Sequence, residues 1–282
     1  MAYMPDIRED MFFFPGSGGR KLLGFLHEPK GNSKATGIVY SHPFAEEKNC
    51  SHAIIVKTAR ELARNGYTVF RFDYSGCGDS EGELTEVTID DWRCDLGYAV
   101  DCLKSRTHTT RIAYWGLRTG AGLALLQASH QQDAIMLMLW QPVFDFKTYL
   151  HQFLRQRLSA EIAALGDNKI SVDSLIAEIR SKGLVEVTGY TLSRKLYDSF
   201  LTLGNSDVTH SLNCPTQLVS ISGTNTPSFA LNKIVSQMTL VAAPIDFTHV
   251  QIEPFWDRYW RWEAPELTNA TLAWLERCEV VA

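Results

Sequence analysis

The chain has 282 residues, of which 45% are hydrophobic, 11% aromatic and 21% charged, with a formal net charge of −5. This composition excludes an intrinsically disordered chain, and the negative charge argues against nucleic acid or an anionic membrane as the main partner. The sequence has no apolar run of the roughly 18 residues that span a membrane, and its six cysteines lack metal-type spacing. We therefore expect a cytoplasmic protein with reduced thiols and with neither a metal nor a cofactor.

Strand and helix patterns alternate through the first half of the chain. Two apolar runs flank the glycine-rich segment 15–19 and predict an opening hairpin. The apolar patterns then predict strands at 37–40, 69–73, 111–115 and 134–140 and helices at 51–65, 88–103 and 123–127. Continuous apolar runs such as 134–140 are typical of parallel strands that are buried on both faces.

The alternation stops after Pro142. Residues 146–203 have a mostly helical pattern with a β-like stretch at 185–188, which is too long for a loop. The earlier pattern resumes with strands at 216–222 and 245–252 and a helix at 264–277. We predict an α/β fold with a mostly parallel central sheet and helices on both faces. Residues 1–145 and 205–282 would form the core and residues 146–204 an inserted helical cap.

A turn motif between a predicted strand and helix is the strongest functional signal. Gly116-Leu117-Arg118-Thr119-Gly120 has the frame of the nucleophile elbow G-x-S-x-G, with arginine in the middle position. An arginine stays protonated and has no lone pair with which to attack a carbonyl. It can bind a carboxylate or phosphate, aided by the positive end of the helix dipole. Alternatively, Arg118 closes the site by pairing with an internal carboxylate such as Glu253 or Asp145.

Several motifs together resemble the α/β-hydrolase superfamily in order and spacing. They are Ser41-His42-Pro43-Phe44, the segment Phe72-Asp73-Tyr74-Ser75-Gly76-Cys77-Gly78-Asp79-Ser80-Glu81-Gly82, and the elbow. Finer details, including His42-Pro43-Phe44-Ala45-Glu46-Glu47 and Glu253-Pro254-Phe255-Trp256, resemble the exosortase A system-associated hydrolase 2 group. The resemblance implies a bacterial origin and a link to exopolysaccharide and protein-sorting gene clusters.

The resemblance also locates the other two members of a Ser-His-Asp triad. The superfamily's acid follows the penultimate strand, where this chain has Thr226 in a segment without a carboxylate. Its histidine follows the last strand, where this chain has Pro254. A serine-type triad is therefore absent at these three positions.

Other residues could supply nucleophilic chemistry. Cys77 lies in the glycine-rich loop that borders the pocket in this fold, and His42 borders the same pocket as a candidate base. The thiol would need a lowered pKa, and the alternative is a small residue that fills a tight loop. His249 is expected inside the last strand, and Asp145 is an acid without an evident nucleophile.

A binding site could remain without catalysis. In the hydrolase plan the oxyanion donors are the backbone amides of Thr119 and Phe44. With Arg118, and with Arg155 if it points down from the cap, they would suit an anion. Trp256 belongs to an aromatic cluster that either binds a sugar or acyl chain or packs the core.

Three functions follow from these residues. The first is a non-hydrolytic accessory protein that binds an anionic, acyl or lipid-sugar small molecule. The second is an unconventional ester or thioester hydrolase or acyltransferase of the same fold. The third is a partner-binding subunit, as a homodimer or in an accessory complex, with the cap as its interface.

Overall fold

A computed structural model gives the fold and describes residues 7–131, 134–166, 170–203, 214–227, 231, 244–259 and 261–281. The strands, in chain order, are β1 (Ile7–Pro15), β2 (Lys21–Pro29), β3 (Thr36–Ser41), β4 (Thr68–Phe72), β5 (Arg111–Leu117), β6 (Ala134–Trp140), β7 (Leu184–Val187), β8 (Tyr190–Ser193), β9 (Thr216–Ser222) and β10 (Ile245–Gln251). The α-helices are α1 (Glu46–Arg64), α2 (Ile89–Arg106), α3 (Thr119–Gln131), α4 (Phe146–Leu165), α5 (Val172–Lys182), α6 (Arg194–Thr202) and α7 (Pro265–Val281).

Eight of the strands form one sheet in the order β1-β2-β4-β3-β5-β6-β9-β10. The β1–β2 and β2–β4 pairs are antiparallel, and every other pair in this sheet is parallel. The predicted opening hairpin and mostly parallel sheet are therefore confirmed. The carboxyl ends of β3, β4, β5 and β6 lie at one edge, where ligands bind in open α/β sheets.

Apolar side chains cover both faces of the sheet. On one face α1 and α7 bury a cluster that includes Ile54, Trp115 and Trp274. On the other face α2 and α3 bury a cluster that includes Trp92 and Leu125 and continues into α4–α6. Each face thus excludes water from apolar strands, which is why those strands have no polar alternation.

Two helices begin earlier than their apolar periodicity predicts. Helix α1 begins at Glu46 rather than residue 51, because its first turn carries two glutamates that favour a helix N-terminus but no apolar repeat. Helix α3 begins at Thr119 rather than residue 123. Its first turns contain Gly120 and Gly122, where an added Cβ would lie 2.2 Å from the Ser41 oxygen and 2.6 Å from the Val143 oxygen. Close packing requires glycine there.

The segment between β6 and β9 leaves the sheet. It contains α4, α5, the antiparallel β7–β8 hairpin and α6. The β-like stretch predicted at 185–188 corresponds to β7. The division of the chain into a core and a cap remains a prediction, and its second boundary, at 204–205, lies outside the described residues.

Candidate functional site

The turn after β5 has the backbone geometry of a nucleophile elbow. Arg118 has a positive φ of 56°, an unfavourable value for a residue with a side chain. The flanking glycines are needed because a Cβ at Gly116 would lie 2.5 Å from the Ala121 Cα and one at Gly120 2.2 Å from the Ser41 oxygen. The turn therefore presents the Arg118 side chain at the carboxyl edge of the sheet, where the superfamily presents its nucleophile.

The guanidinium of Arg118 is neutralised by a carboxylate. Its Nε and Nη2 each donate to Glu47 Oε1 at 3.3 Å, and the two side chains are only 15% and 14% exposed. The partner comes from the first turn of α1, not from Glu253 or Asp145 as the sequence indicated. An external anion would have to displace Glu47 to bind Arg118.

Aromatic rings flank this ion pair. The Arg118 guanidinium carbon lies 4.9 Å from the ring centroid of Trp256 and 5.8 Å from that of Tyr149. Burial raises the pKa of Glu47, and the attraction of Arg118 opposes this effect. The elbow is thus filled by a closed, aromatic-lined pair. Sequence reasoning missed Glu47, although a buried cation requires an acidic partner and the first turn of α1 supplied one.

The loops after β9 and β10 supply no acid–histidine pair among the described residues. The Thr226 carbonyl accepts a hydrogen bond from Ser222 Oγ at 3.0 Å. Pro254 lies in the loop after β10, and the adjacent Glu253 carboxylate contacts Gly223, where a Cβ would lie 2.1 Å from Oε1. His249 lies within β10, as expected, with Nε2 3.0 Å from the Thr224 carbonyl.

Cys77 and His42 do not form the base-activated thiol that the sequence allowed. Burial raises the pKa of the Cys77 thiol to about 12, opposite to what a reactive thiol needs. His42 Nδ1 lies 2.7 Å from the Pro43 carbonyl, and its Nε2 accepts from the Tyr74 amide at 3.2 Å. Burial also lowers the pKa of His42 to about 4. Both ring nitrogens are therefore engaged.

One predicted oxyanion donor is occupied. The Phe44 amide donates to Thr119 Oγ1 at 2.8 Å, so the hydroxyl of the elbow residue takes the place of a ligand oxygen. The Phe44 ring packs against Phe153 and Phe200, with centroids 5.0 and 5.5 Å away. The Thr119 amide lies at the first position of α3.

The remaining predicted residues are placed as follows. Arg155 is exposed on α4, and no contact joins it to Arg118 in the described part of the chain. Trp256 is buried and contacts Arg118 rather than open space. Asp145 is the N-cap of α4 and accepts from the Thr148 amide at 2.8 Å. Trp260, another member of the aromatic cluster, lies outside the described residues.

Open space lies beside the elbow, in two adjoining cavities of about 350 and 330 Å³. Both are lined by His42, Lys48, Asn49 and Gly78, and neither by Arg118. We call them the strand cavity, which extends along β4 to Arg71, and the hairpin cavity, which extends under the β7–β8 hairpin to Tyr190.

Side-chain contacts border both cavities. Lys48 pairs with Asp73 at 2.9 Å. The Tyr190 hydroxyl donates to Glu46 Oε2 at 2.6 Å and so connects the hairpin to the first turn of α1. The described residues contain no group of three or more His, Cys, Asp or Glu side chains suited to a metal ion. Within the same residues, none of the helices is long and apolar enough to cross a membrane.

The strand order, the elbow and the two helix layers define an α/β-hydrolase fold. Residues 35–183 match the family Hydrolase_4, described as serine aminopeptidase, S33. Because this match spans more than half of the 282 residues, the chain belongs to that family.

Curated relatives match over shorter stretches. Human Protein ABHD12B is 34% identical over 87 residues, which cover 31% of this chain and 23% of that protein. Palmitoyl-protein thioesterase ABHD10, mitochondrial, of Bos taurus is 34% identical over 71 residues, covering 25% and 22%. The chain thus spans less than a quarter of the length of these two relatives.

Solved structures match over nearly the whole chain. Est1E from Butyrivibrio proteoclasticus with bound ferulic acid has a TM-score of 0.69 at 17% identity. The match covers 95% of this chain and 99% of the Est1E chain. Mouse alpha/beta hydrolase domain-containing protein 10 has a TM-score of 0.58 at 15% identity, covering 97% and 100%. At such low identity these likenesses show the fold alone.

Proposed function

We propose that this chain is a non-hydrolytic member of its family, an accessory protein that binds an anionic or acyl-bearing small molecule. One observation carries the non-hydrolytic part of the proposal: the apex of the elbow holds Arg118, closed by Glu47 at 3.3 Å. The bacterial exopolysaccharide or exosortase setting is part of the proposal and is supported by the sequence resemblance alone.

The residues at the triad positions support the loss of hydrolysis. Ester hydrolysis on this fold needs a nucleophile with a lone pair, a base that accepts its proton and an acid that orients the base. Arg118 remains protonated, Pro254 has no titratable group, and Thr226 carries no charge to orient a base. The Phe44 amide, bonded to Thr119, is also unavailable to an oxyanion without rearrangement.

The ligand's place is inferred from the open space. An acyl or sugar portion would occupy the hairpin cavity, which has the apolar Phe44 and Leu84 side chains as well as polar groups in its wall. Its volume of about 330 Å³ is within the range of small-molecule sites. The ligand's anionic group would reach Arg118 only by replacing Glu47.

Turnover assays test the absence of hydrolysis. We expect the wild-type chain to hydrolyse neither p-nitrophenyl esters nor acyl thioesters above background between pH 6 and 9. Arg118→Ser should remain inactive, because the base and acid are still missing. Turnover by the wild type, abolished by Cys77→Ala, would reject the proposal.

Equilibrium binding tests the ligand class. Acyl phosphates and phosphorylated lipid analogues would be titrated into the wild type, Arg118→Ala and the matched surface variant Arg64→Ala. A role for Arg118 predicts weaker binding in Arg118→Ala only. Equal affinity of all three proteins would reject Arg118 as the anion-binding residue.

An unconventional thioester hydrolase is the second candidate. It is supported by the name of the ABHD10 relatives, palmitoyl-protein thioesterase, and by the position of Cys77 in the wall of the hairpin cavity. The raised pKa of Cys77 and the engaged nitrogens of His42 oppose it. The same acyl-thioester assay separates the two candidates.

A further inference from the structure

Arg71 in β4 is a buried cation that lacks an acidic partner. Arg71 is only 8% exposed, and its Nε donates to His27 Nε2 at 3.0 Å. Within the described part of the chain its two terminal nitrogens have no hydrogen-bond partner, and no carboxylate lies at ion-pair distance. A buried charge without a counter-charge is unfavourable, so this arrangement calls for explanation.

The groups behind Arg71 do not neutralise it. His27 Nδ1 lies 2.8 Å from Glu9 Oε1, which leaves Nε2 as the acceptor for Arg71. Burial lowers the pKa of His27 to about 4, so the ring is uncharged at neutral pH. Glu9 is itself engaged by Arg60, at 2.8 and 3.1 Å. The Glu9 carboxylate is therefore shared and separated from Arg71 by a neutral ring.

The other side of Arg71 faces the strand cavity. The further charged side chains in its wall are Lys48 and Asp73, which pair with each other at 2.9 Å, and Asp79, which is exposed. His42 is neutral, since burial lowers its pKa to about 4. Within the described part of the chain, Arg71 is thus a buried cation of this wall without an ion-pair partner of its own, and the Asp73 carboxylate, which Lys48 engages, attracts it from beyond ion-pair distance.

A further contact restricts the Arg71 side chain. The guanidinium carbon of Arg71 lies 5.1 Å from the ring centroid of Phe25, and this contact restricts the orientation of the guanidinium plane. With Nε held by His27, the two terminal N–H groups remain to bind two oxygens of one carboxylate or phosphate.

We propose that Arg71 is the anchor of a second binding site, in the strand cavity, for the carboxylate or phosphate group of a small ligand. This site goes beyond the proposed function, because it does not involve Arg118 and would exist whether or not the chain hydrolyses a substrate. The cavity volume, about 350 Å³, admits a small organic acid or phosphate ester.

Titration with simple anions tests the site. The full chain, labelled with ¹⁵N-arginine, would receive sodium phosphate or sodium acetate at constant ionic strength, with sodium chloride as the balancing salt. We expect the Arg71 Nε–H signal, assigned by its absence from Arg71→Lys, to shift saturably with at least one anion. Saturation by phosphate but not acetate would identify a phosphate ligand, and the reverse a carboxylate.

Thermal unfolding with the same anions supplies an independent readout. Arg71→Gln and Arg71→Lys should bind the effective anion at least tenfold more weakly, whereas Arg60→Gln, a matched loss of an exposed arginine in the same network, should bind it as the wild type does. If Arg71→Gln does not fold, the titration of the wild-type chain alone decides whether Arg71 binds an anion. The proposal is overturned if the wild-type signal shows no saturable shift, or if the Arg71 variants bind with unchanged affinity.

Discussion

Glu47 lies 3.3 Å from the Arg118 guanidinium, although 71 residues separate the two in the chain. The pair connects the first turn of α1 to the apex of the elbow. A largely buried ion pair of this kind makes each partner dependent on the other. Stability measurements can therefore detect the pair without knowledge of any ligand.

We expect Glu47→Gln to destabilise the fold by about 3 kcal/mol, because it leaves the buried charge of Arg118 uncompensated. Glu61→Gln, on the same helix, removes a carboxylate from the more solvent-exposed pair with Arg64 and should cost less than about 0.5 kcal/mol. Urea unfolding followed by tryptophan fluorescence measures both. The double variant Glu47→Leu, Arg118→Met should be less destabilised than Glu47→Gln. If its loss of stability equalled the sum of the losses in the single variants Glu47→Leu and Arg118→Met, a direct pair would be contradicted.

Two buried histidines predict a loss of stability in mild acid. Burial lowers the pKa of His27 and of His42 to about 4, below the ordinary value of 6.5. The unfolded chain therefore binds their protons first, and the stability present above pH 6.5 falls as the pH decreases toward 4. Each histidine should account for about 2 kcal/mol between pH 6.5 and pH 5.

Urea unfolding at pH 7, 6 and 5 measures this dependence. His27→Gln, although less stable at pH 7, should show a shallower decline than the wild type. An exposed control is His108→Gln, which lies in the loop before β5 and should leave the slope unchanged. A wild-type free energy of unfolding that stays constant from pH 7 to pH 5 would contradict buried, neutral histidines.

Gly120→Ala should destabilise the fold by about 3 kcal/mol, since the added methyl would lie 2.2 Å from the Ser41 oxygen and 2.5 Å from the His42 oxygen. Gly97→Ala is the matched control within α2. There the added Cβ would contact only the flexible ends of Gln131 and Gln127, at 3.3 and 3.4 Å. The higher helix propensity of alanine should raise the stability by as much as about 1 kcal/mol. Thermal melts compare the two, and similar melting temperatures would disprove the close approach.

Cys77 should be alkylated more slowly than Cys94. Burial raises the Cys77 pKa to about 12, so at pH 8 its thiol is almost entirely protonated. Cys94 is exposed on α2. Iodoacetamide labelling at pH 8, resolved by peptide mass spectrometry, gives the order of reaction. Preferential labelling of Cys77 would support the thioesterase candidate instead.

The apolar runs of the sequence were sufficient to predict the layered α/β fold. The predicted strand at 216–222 has the observed bounds of β9, and the helix predicted from residue 88 begins one residue later, with Thr88 as its N-cap. Such local signals depend on neighbours a few residues away. The polar first turn of α1 lacked an apolar repeat, and its start was therefore predicted too late.

By itself, the sequence determined the fold class, the elbow and the absence of serine, histidine and acid from the three triad positions, because these depend on residue identity and order. Tertiary structure alone decided the partners of the charges. It paired Arg118 with Glu47, bonded the Phe44 amide to Thr119 and left Arg71 without an ion-pair partner among the described residues. Such partners come from distant segments, and whether a charge is neutralised depends on distance and burial, which residue order does not specify.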